Sequence, residues 1–462
     1  MLDKELLDRT AEIAREFLER LPERHAGAEA SRAELLEGLD LPLPQAGTDS
    51  KTVIDDLAQA VGPGLIASAG PRYFGFVIGG STPPAIAADW LTSAWDQNAG
   101  IYAASPAASV VEEVTARWVV ELLRLPTGAS VGFVTGGQMG NFTGLAVGRH
   151  ATLAAKGWDV EAQGLRDAPP LRLFVGEEAH VTVIAAARLL GLGADSIVQV
   201  GADGQGRMKP TELARQLTQA MGPSIVCAQV GNVNSGAIDP VGEIAEVAHS
   251  AGAWCHVDGA FGLWAAVGDH HGDQLAGVEN ADSWVTDAHK WLNVPYDCSL
   301  AIVRDPEVHR AVMGVSAPYL PAREPGERSP EEWVPELSRR ARATPVYAAI
   351  RSLGREGIAV LVENGCERAA QIAGLLAAEP GIEVLNDVDL NQVLVRFSDD
   401  DGVTERVIEA VQQEGTCWVA GTTWQGRAAM RISITNWATS PTDITRSAAA
   451  ICAAAHAERS DA

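Results

Sequence analysis

The sequence lacks long hydrophobic runs and cysteine motifs, and each absence excludes a class of protein. No apolar run reaches the roughly 18 residues that a membrane-spanning helix needs, and the start MLDKELLDRT is too charged for a secretory signal. The 6 cysteines are scattered without CxxC or other metal-ligand spacing. That scatter is typical of reduced cytoplasmic thiols rather than of a disulfide framework. We therefore expect a cytoplasmic protein without a metal site.

Basic residues are scarce, since 35 Lys and Arg stand against 60 Asp and Glu, a formal net charge of −25. A surface this acidic repels nucleic-acid phosphates and anionic lipids, so we expect neither nucleic acid nor a membrane as a partner. The simplest role of this charge is to favour solubility. The chain has 462 residues, of which 47% are hydrophobic, which suggests two or three packed units.

Alternating strand and helix patterns dominate the middle of the chain. An amphipathic helix over residues 3–21 comes first, and we expect an N-terminal helical arm over residues 1–60. Farther along, short apolar runs alternate with helical segments, which predicts an α/β fold with a mostly parallel central sheet. The predicted strands are 131–135, 171–175, 224–230, 254–258, 283–286 and 299–303, and the helices between them include 181–190, 210–220 and 241–251.

The domain boundaries follow from a change of pattern after this alternation. We expect a large domain over residues 61–335 and a smaller C-terminal α+β domain over residues 336–462. The smaller domain is expected to contain a helical stretch over 340–378 and strands near 382–385, 392–397 and 430–434. Between the two, residues 318–335 hold five prolines among charged residues, which predicts a mobile loop.

Ionisable residues stand at the ends of several predicted strands. Asp258 and Lys290 each follow an apolar run, His180 follows another, and ligands of parallel sheets bind beyond the carboxyl ends of strands. A lysine at such a place is unusual, and a neutral lysine amine is a nucleophile that forms Schiff bases. The glycine-rich turn at 135–138 precedes a helix, where backbone N–H groups favour an anion.

Each of these features has a simpler interpretation when it is taken alone. The glycine turn fits a structural strand–helix connection, Asp258 a helix N-cap, and His180 a satisfied polar group. The turn matches neither the dinucleotide fingerprint nor the P-loop. In chain order, however, they supply an anion cradle, a histidine, a carboxylate and a lysine. Pyridoxal phosphate has a phosphate, a flat ring, a ring nitrogen and an aldehyde, and would use all four.

One motif pair carries a family resemblance. HVDGAFG (256–262), whose aspartate is followed 32 residues on (290 − 258) by the lysine of DAHKW, resembles the group II pyridoxal-phosphate-dependent amino-acid decarboxylases, which include aromatic-L-amino-acid decarboxylase. PRYFGF (71–76), AASPAASVVEEVTARW (103–118) and EEAHVTV (177–183) extend the resemblance over about residues 60–360. It implies the aspartate-aminotransferase-like fold, fold type I, and a homodimer with active sites at the subunit interface.

The resemblance also implies residue roles. Lys290 would bind the cofactor covalently, Asp258 would keep the ring nitrogen protonated, and His180 would stack on the ring. Further cofactor contacts are implied for Ala260 on the other ring face, for Gly137, Gln138 and His289 near the phosphate, and for Asn232 near the phenolic oxygen. Met139 and Asp287 complete the expected cofactor-binding set, and the substrate region is expected to include Phe76, Val77, Ile78, Trp95 and Tyr102.

The implied reaction is decarboxylation of an L-amino acid to an amine and carbon dioxide. Because the substrate region is apolar and holds no obvious lysine, we expect a neutral apolar or aromatic substrate, with Arg72 as a cation that could reach in. A carbon–carbon lyase and a decarboxylation coupled to oxidative deamination, which forms an aldehyde, are alternatives on the same scaffold. A non-catalytic binding subunit is a further alternative, against which the retained Lys290, Asp258 and His180 speak.

The sequence departs from the family pattern in three places. Gln138-Met139-Gly140 stands where many relatives have Ser-Glu-Ala, and Gly259 replaces a common alanine. Family decarboxylases usually carry a loop tyrosine, supplied by the neighbouring subunit, that protonates the substrate Cα. Here residues 320–346 contain no tyrosine, and alignment by Trp333 brings Pro330 to the expected position. Either another group, with His180 the candidate, delivers the proton, or the chemistry is diverted to oxygen or an aldehyde.

Overall fold

The computed structural model of this chain describes residues 3–315, 317–318 and 326–460. Three N-terminal helices form the expected arm, and none of their residues is buried within this single chain. The first confirms the helix predicted over 3–21, and Asp3 caps it by accepting a hydrogen bond from the N–H of Leu6. These helices are α1 (Lys4–Arg20), α2 (Arg32–Leu39) and α3 (Ser50–Val61).

A seven-stranded, mostly parallel sheet forms the centre of the fold, as the α/β pattern predicts. Its strands are β1 (Ser130–Val134), β2 (Arg172–Gly176), β3 (Ile197–Val200), β4 (Ser224–Gln229), β5 (Trp254–Asp258), β6 (Ser283–Asp287) and β7 (Ser299–Val303). They lie in the order β1-β7-β6-β5-β4-β2-β3, and only β7 runs against the others. The sequence missed β3 because four residues are too few to show a period.

Helices cover both faces of this sheet. They are α4 (Pro83–Trp95), α5 (Pro106–Leu122), α6 (Gly137–Ala154), α7 (Val160–Gln163), α8 (Val181–Leu189), α9 (Pro210–Gln219), α10 (Val241–Ser250), α11 (Asp269–Gly272) and α12 (Pro306–Met313). Alternate residues of β4 point to opposite faces: Val226 joins the core under α9 and α10, whereas Ile225 and Cys227 join the core under α6 and α8. The predicted helices over 181–190, 210–220 and 241–251 are therefore confirmed.

Glycines bring α6 unusually close to the sheet. An added Cβ atom at Gly140 would lie 2.1 Å from Cγ2 of Val285, and one at Gly144 would lie 2.5 Å from Cε1 of His256. At Gly148 the nearest atom, in Trp254, would be 2.8 Å away. Because Cβ atoms cannot approach other atoms this closely, the four-residue glycine spacing permits the helix to lie against β5 and β6.

The C-terminal part folds around a second sheet. It begins with α13 (Ala343–Ala377), a long helix interrupted at Gly354, where φ is +64°. Its strands, in the order β10-β11-β9-β8, are β8 (Glu383–Val384), β9 (Gln392–Arg396), β10 (Ala420–Trp424) and β11 (Arg427–Ser433), all antiparallel. Helices α14 (Asp401–Glu414) and α15 (Pro441–Ser460) pack with it around a separate apolar core. This smaller α+β unit agrees with the sequence pattern, although β10 was not predicted.

Part of the predicted mobile loop over 318–335 lies outside the described residues, including Tyr319. In the described part of this loop, Pro330–Glu332 form a short buried 3₁₀ turn. In the described ranges of the chain, no helix combines the length and apolar character that crossing a membrane requires.

Candidate active site

The sheet topology collects the predicted chemistry-bearing residues around one cavity. The carboxyl ends of β1, β2, β4, β5 and β6 meet at the same edge, and a cavity of ≈ 280 Å³ lies there. Its lining includes nine residues that the sequence assigned to cofactor or substrate: Val77, Gly137, Gln138, His180, Asp258, Ala260, Asp287, His289 and Lys290.

Lys290 brings a primary amine to the cavity wall. It follows β6 by three residues, and its Nζ lies 2.8 Å from Oδ2 of Asp287. Burial acts to raise the pKa of Asp287, but the charges of Lys290 and His289 outweigh it and hold that pKa below its ordinary value. The result is a buried carboxylate that serves as counter-ion to the lysine.

Asp258 presents a second buried carboxylate at the end of β5, with 3% of its surface exposed. Its Oδ1 accepts a hydrogen bond of 3.2 Å from the N–H of Ala260, and its Oδ2 accepts one of 3.1 Å from Nδ2 of Asn141. Both donors are neutral groups. Among the described residues, no arginine or lysine pairs with this carboxylate, which is fixed in place by neutral groups.

His180 is held by the start of α8. As the N-cap residue it accepts the Thr182 N–H at Nδ1 (3.4 Å), and the Thr182 hydroxyl lies 2.8 Å from the same nitrogen. Because Nδ1 accepts, the neutral imidazole carries its proton on Nε2. Burial lowers the pKa of His180 below its ordinary value, with Asp258 opposing this and Lys290 and Arg431 adding to it.

The glycine turn before α6 forms an anion cradle. Gly136 is extended and Gly137 begins the helix, whose first turn leaves backbone N–H groups without intrahelical partners. An added Cβ atom at Gly137 would lie 3.1 Å from Oδ2 of Asp287, so glycine leaves this space open. His289 stands beside the turn, where it accepts the N–H of Cys298 at Nδ1 and stacks on Tyr296 at 4.2 Å.

Four expected site residues lie elsewhere. Met139 packs against Val134, Ala301 and Val334, because one residue beyond Gln138 the helix has rotated away from the cavity. Asn232 is occupied in a turn, where Oδ1 accepts the N–H groups of residues 234 and 235 and Nδ2 reaches the carbonyl of residue 178. Phe76 is 54% exposed and stacks on Trp418 at 5.6 Å, and Tyr102 is tied by its N–H to Ser329. None of the four lines the cavity of this single chain.

Other expected substrate-side residues also differ from the sequence interpretation. Arg72 does not reach into the cavity, because it is buried and pairs with Asp443 at 3.1 Å. Trp95 is exposed, at 55%. Only Val77 of the expected substrate residues lines the cavity.

Sequence reasoning missed several residues around the cavity. Thr182 and Gln229 line it, Asn141 bonds Asp258 from α6, and Arg431 lies buried nearby on β11. The repeated glycines of α6 were a usable signal for Asn141, because they mark the helix that approaches the sheet most closely. The sequence carries no local signal for Arg431, which is 141 residues from Lys290 (431 − 290).

Pyridoxal phosphate fits the residues present. The cavity has an amine for its aldehyde, a buried carboxylate held by neutral donors for its ring nitrogen, and an open helix N-terminus for its phosphate. Ala260 adds a small side chain on the wall.

Comparisons with known proteins agree with this arrangement. A sequence model of the pyridoxal-dependent decarboxylase conserved domain matches residues 33–398. Aromatic-L-amino-acid decarboxylase of Bacillus atrophaeus is 26% identical over 85% of this chain and 83% of its own length. L-2,4-diaminobutyrate decarboxylase of Rhizobium meliloti is 27% identical over 88% and 82%. The solved structure of Oryza sativa TDC with PLP and tryptamine has a TM-score of 0.91 at 23% identity, covering 98% and 97%, which shows the same fold.

Proposed function

This chain belongs to the pyridoxal-dependent decarboxylase family, and from that premise we propose that it converts a neutral apolar or aromatic L-amino acid into its amine and carbon dioxide. Membership makes it an amino-acid decarboxylase that uses pyridoxal phosphate. The observation that carries the proposal is the convergence of Lys290, Asp258 and His180 on one cavity.

When bound, pyridoxal phosphate supplies an aldehyde that bonds to amines and a ring that accepts the electron pair of the broken bond. Lys290 would hold the cofactor through its Nζ and would supply the amine needed for product release. Asp258 places a negative charge where it favours a protonated ring nitrogen. The helix N-terminus at Gly137 and Gln138 holds the phosphate. His180 forms the wall against which the ring lies.

Arg431 is our candidate for binding the α-carboxylate of the substrate. Its side chain is buried, its Nη1 donates a 3.4 Å hydrogen bond to the carbonyl of Val233, and its Nε has no acceptor. Burial lowers its pKa, and it makes no ion pair with a carboxylate in the described ranges. A buried guanidinium without an anion is costly, so a bound carboxylate would relieve it. Fixing that carboxylate selects which bond to Cα breaks.

The substrate class follows from the cavity wall. Val77, Val233 and Phe261 supply apolar surface on the cavity wall. Among the described residues, Lys290 on this wall has a role toward the cofactor, and the buried Arg431 of β11 has one toward the α-carboxylate. Arg72, paired with Asp443, adds no cation for an acidic side chain. Apolar walls favour apolar or aromatic side chains, as the name of the Bacillus atrophaeus relative also suggests.

An aldehyde-forming reaction is the second candidate, because the chain lacks the usual loop tyrosine. Residues 320–346 contain none, and Tyr347 stacks on Trp118 at 5.0 Å. In the favoured reaction, His180 delivers the proton to Cα from its Nε2–H. In the alternative, one oxygen and one water are consumed per amino acid, and aldehyde, carbon dioxide, ammonia and hydrogen peroxide are released.

We further propose a homodimer, located in the cytoplasm, with the active site at its subunit interface. Large apolar side chains stand exposed along the N-terminal segment and near α4, including Leu41 (70%), Leu43 (85%), Trp90 (47%) and Trp437 (46%). Exposed apolar surface of this extent favours burial against another protein, here a second copy. Light scattering should give twice the chain mass of 48.6 kDa; a monomer at micromolar concentration would contradict this.

The test is a substrate panel incubated in air and under argon, with carbon dioxide, amine, aldehyde and peroxide all measured. The panel contains L-tryptophan, L-tyrosine, L-phenylalanine, L-leucine, L-glutamate, L-aspartate and L-2,4-diaminobutyrate. We expect amine in equal amount to carbon dioxide under both gases, with an apolar or aromatic substrate best. Oxygen-dependent aldehyde and peroxide would establish the second candidate instead. Glutamate or aspartate as the best substrate would contradict the proposed class.

A further inference from the structure

A buried hydrogen-bond network stands behind Asp258 and reaches the opposite side of the cavity. At its centre is Asn141, which is completely buried on α6. The glycines of α6 bring this helix so close to β5 and β6 that Asn141 lies within hydrogen-bond distance of both Asp258 and His256. Neither Asn141 nor His256 lines the cavity.

The chemistry of the side chains determines the direction of each hydrogen bond on the path from Trp254 to Asn141. The indole of Trp254 can only donate, so Ser283 Oγ accepts from it at 2.9 Å. At the other end the carboxylate of Asp258 only accepts, so Asn141 turns its NH₂ group to Asp258 and its Oδ1 to His256. His256 therefore carries its proton on Nε2, and Ser283 Oγ donates to its Nδ1, 2.8 Å away. That N–H donates to Oδ1 of Asn141 at 2.9 Å. Burial lowers the pKa of His256 to about 3, so the ring is neutral and can serve as both acceptor and donor.

With its oxygen occupied by His256, Asn141 has to turn its NH₂ group toward the cavity. One hydrogen goes to Oδ2 of Asp258 at 3.1 Å, and the other goes to the hydroxyl of Thr182 at 3.3 Å. Thr182 in turn gives its proton to Nδ1 of His180 at 2.8 Å. A single amide therefore donates toward both Asp258 and the residue that holds His180.

We propose that Asn141 is a positioning residue, oriented by His256, that fixes the Asp258 side chain and keeps His180 in its Nε2–H form through one directed hydrogen-bond network. The proposal rests on the proposed function, since Asp258 and His180 act there on the cofactor and the substrate. Every donor in the network points toward the two functional residues. Asn141, His256, Ser283 and Asp258 are buried, whereas Trp254, Thr182 and His180 are partly buried, so the centre of the network is shielded from water.

The direction of the network can be tested without the cofactor. Cofactor-free protein labelled with ¹⁵N in histidine should show neutral His180 and His256, each with its proton on Nε2, at pH 7.5. The two signals are assigned by their loss in His180→Gln and His256→Gln. A proton on Nδ1 of His256 or of His180 would overturn the proposal, because the order of donors would then be reversed.

The effect on the site is tested with two pairs of variants. Asn141→Leu keeps the side-chain size and removes the donor, and should weaken pyridoxal phosphate binding about tenfold and lower kcat with KM changed less than twofold. Asn391→Leu removes an equally buried asparagine that does not line the cavity, and should leave both unchanged. His256→Leu should behave like Asn141→Leu. His256→Gln, whose amide can accept from Ser283 and donate to Asn141, should recover most of the binding.

The outcomes separate the two proposals. If Asn141→Leu is folded by circular dichroism and matches the wild type in cofactor affinity and in the pH dependence of cofactor absorbance, the network has no role at the site, although the decarboxylase function stands. If His256→Gln is as defective as His256→Leu, orientation by hydrogen bonding is wrong. Wild-type protein that binds no pyridoxal phosphate would overturn the proposed function itself, and with it the role given to Asn141.

Discussion

Two buried carboxylates in this protein are held in opposite ways. Asp258 accepts hydrogen bonds from two neutral donors, the N–H of Ala260 and the amide of Asn141, and faces the cavity. Glu112, on α5, lies 2.8 Å from Nη1 of Arg328 and 2.8 Å from Nη2 of Arg339. The charge of Asp258 remains available to a ligand, whereas the charge of Glu112 is neutralised by two arginines of the protein.

This difference distinguishes a reactive region around Asp258 from a structural region around Glu112. The Glu112 network fastens the segment around residues 328–339 to α5, and Arg328 and Arg339 also donate to the carbonyls of Val131 and Phe133 on β1. The same segment holds the turn at Tyr102 through Ser329. We infer that substitutions near Asp258 change chemistry more than folding, and that substitutions near Glu112 do the reverse.

The largest effect should come from the reactive region. Lys290→Ala should abolish turnover, because no amine remains to hold the cofactor or to release the product. Carbon dioxide release measures turnover, and borohydride reduction followed by mass spectrometry measures covalent attachment. The exposed Lys156→Ala is the control and should retain both. Turnover of Lys290→Ala near the wild-type rate would remove this lysine from the mechanism.

Glu112→Gln tests the structural region. It leaves two mostly buried guanidinium groups without their anion, so the free energy of unfolding should fall by about 3–5 kcal/mol. Urea unfolding at pH 7.5 measures it. Glu113→Gln, next to it on the same helix, should change stability by less than about 0.5 kcal/mol. A loss of activity at unchanged stability would reverse our contrast between the two carboxylates.

Asp258→Asn tests the expectation that a substitution in the reactive region changes chemistry more than folding. The amide cannot supply the negative charge that favours a protonated ring nitrogen, so we expect kcat to fall about 100-fold, or about 2.7 kcal/mol of barrier. The urea midpoint should change little. Asp195→Asn, an exposed aspartate before β3, is the matched control. A fall of less than about tenfold would mean that Asp258 is not the partner of the ring nitrogen.

The smallest expected effect is on the pH dependence of stability. It is tested by comparing His256 in the reactive region with His309 in the structural region. Burial lowers the pKa of His256 and of His309, beside Trp333, to about 3, from 6.5 in the unfolded chain. Between these values the unfolded state binds an extra proton at each site, so stability falls as pH falls, by about 2 kcal/mol per histidine at pH 5. Asp239, whose pKa burial raises to about 6, acts in the opposite sense and offsets part of this.

His256→Gln and His309→Gln should each flatten the fall in stability between pH 7 and pH 5, as measured by urea unfolding. Of the histidine substitutions, only His256→Leu should also weaken cofactor binding, because His256→Gln keeps the hydrogen bonds and His309 bonds to Ser130 and lies away from the cavity. Above pH 7 the slopes of variant and wild type should coincide, which is the internal control. An unchanged slope for both variants would show that neither histidine is buried in its neutral form.

Much of the fold and of the reactive region was predictable because it is encoded locally. Six strands of the central sheet showed as apolar runs. Asp258 is the last residue of β5, Lys290 follows β6 by three residues, and His180 follows β2 by four. Parallel strands place their carboxyl ends on one edge, so the sequence order alone brings these residues together. The position of Met139 was not predictable in the same way: it packs away from the cavity of this single chain, since a rotation of one helical residue decides which neighbour faces it.

By itself, the sequence determined the family, the cofactor chemistry and the residues of the sheet edge, since each lies within a short motif. Only the tertiary structure decided which polar side chains have partners. Arg72 and Arg431 are indistinguishable as letters, yet the first pairs with Asp443, 371 positions away, and the second lies buried without a described carboxylate. Burial and pairing set the free energy of a charge, and both depend on residues that are distant along the chain.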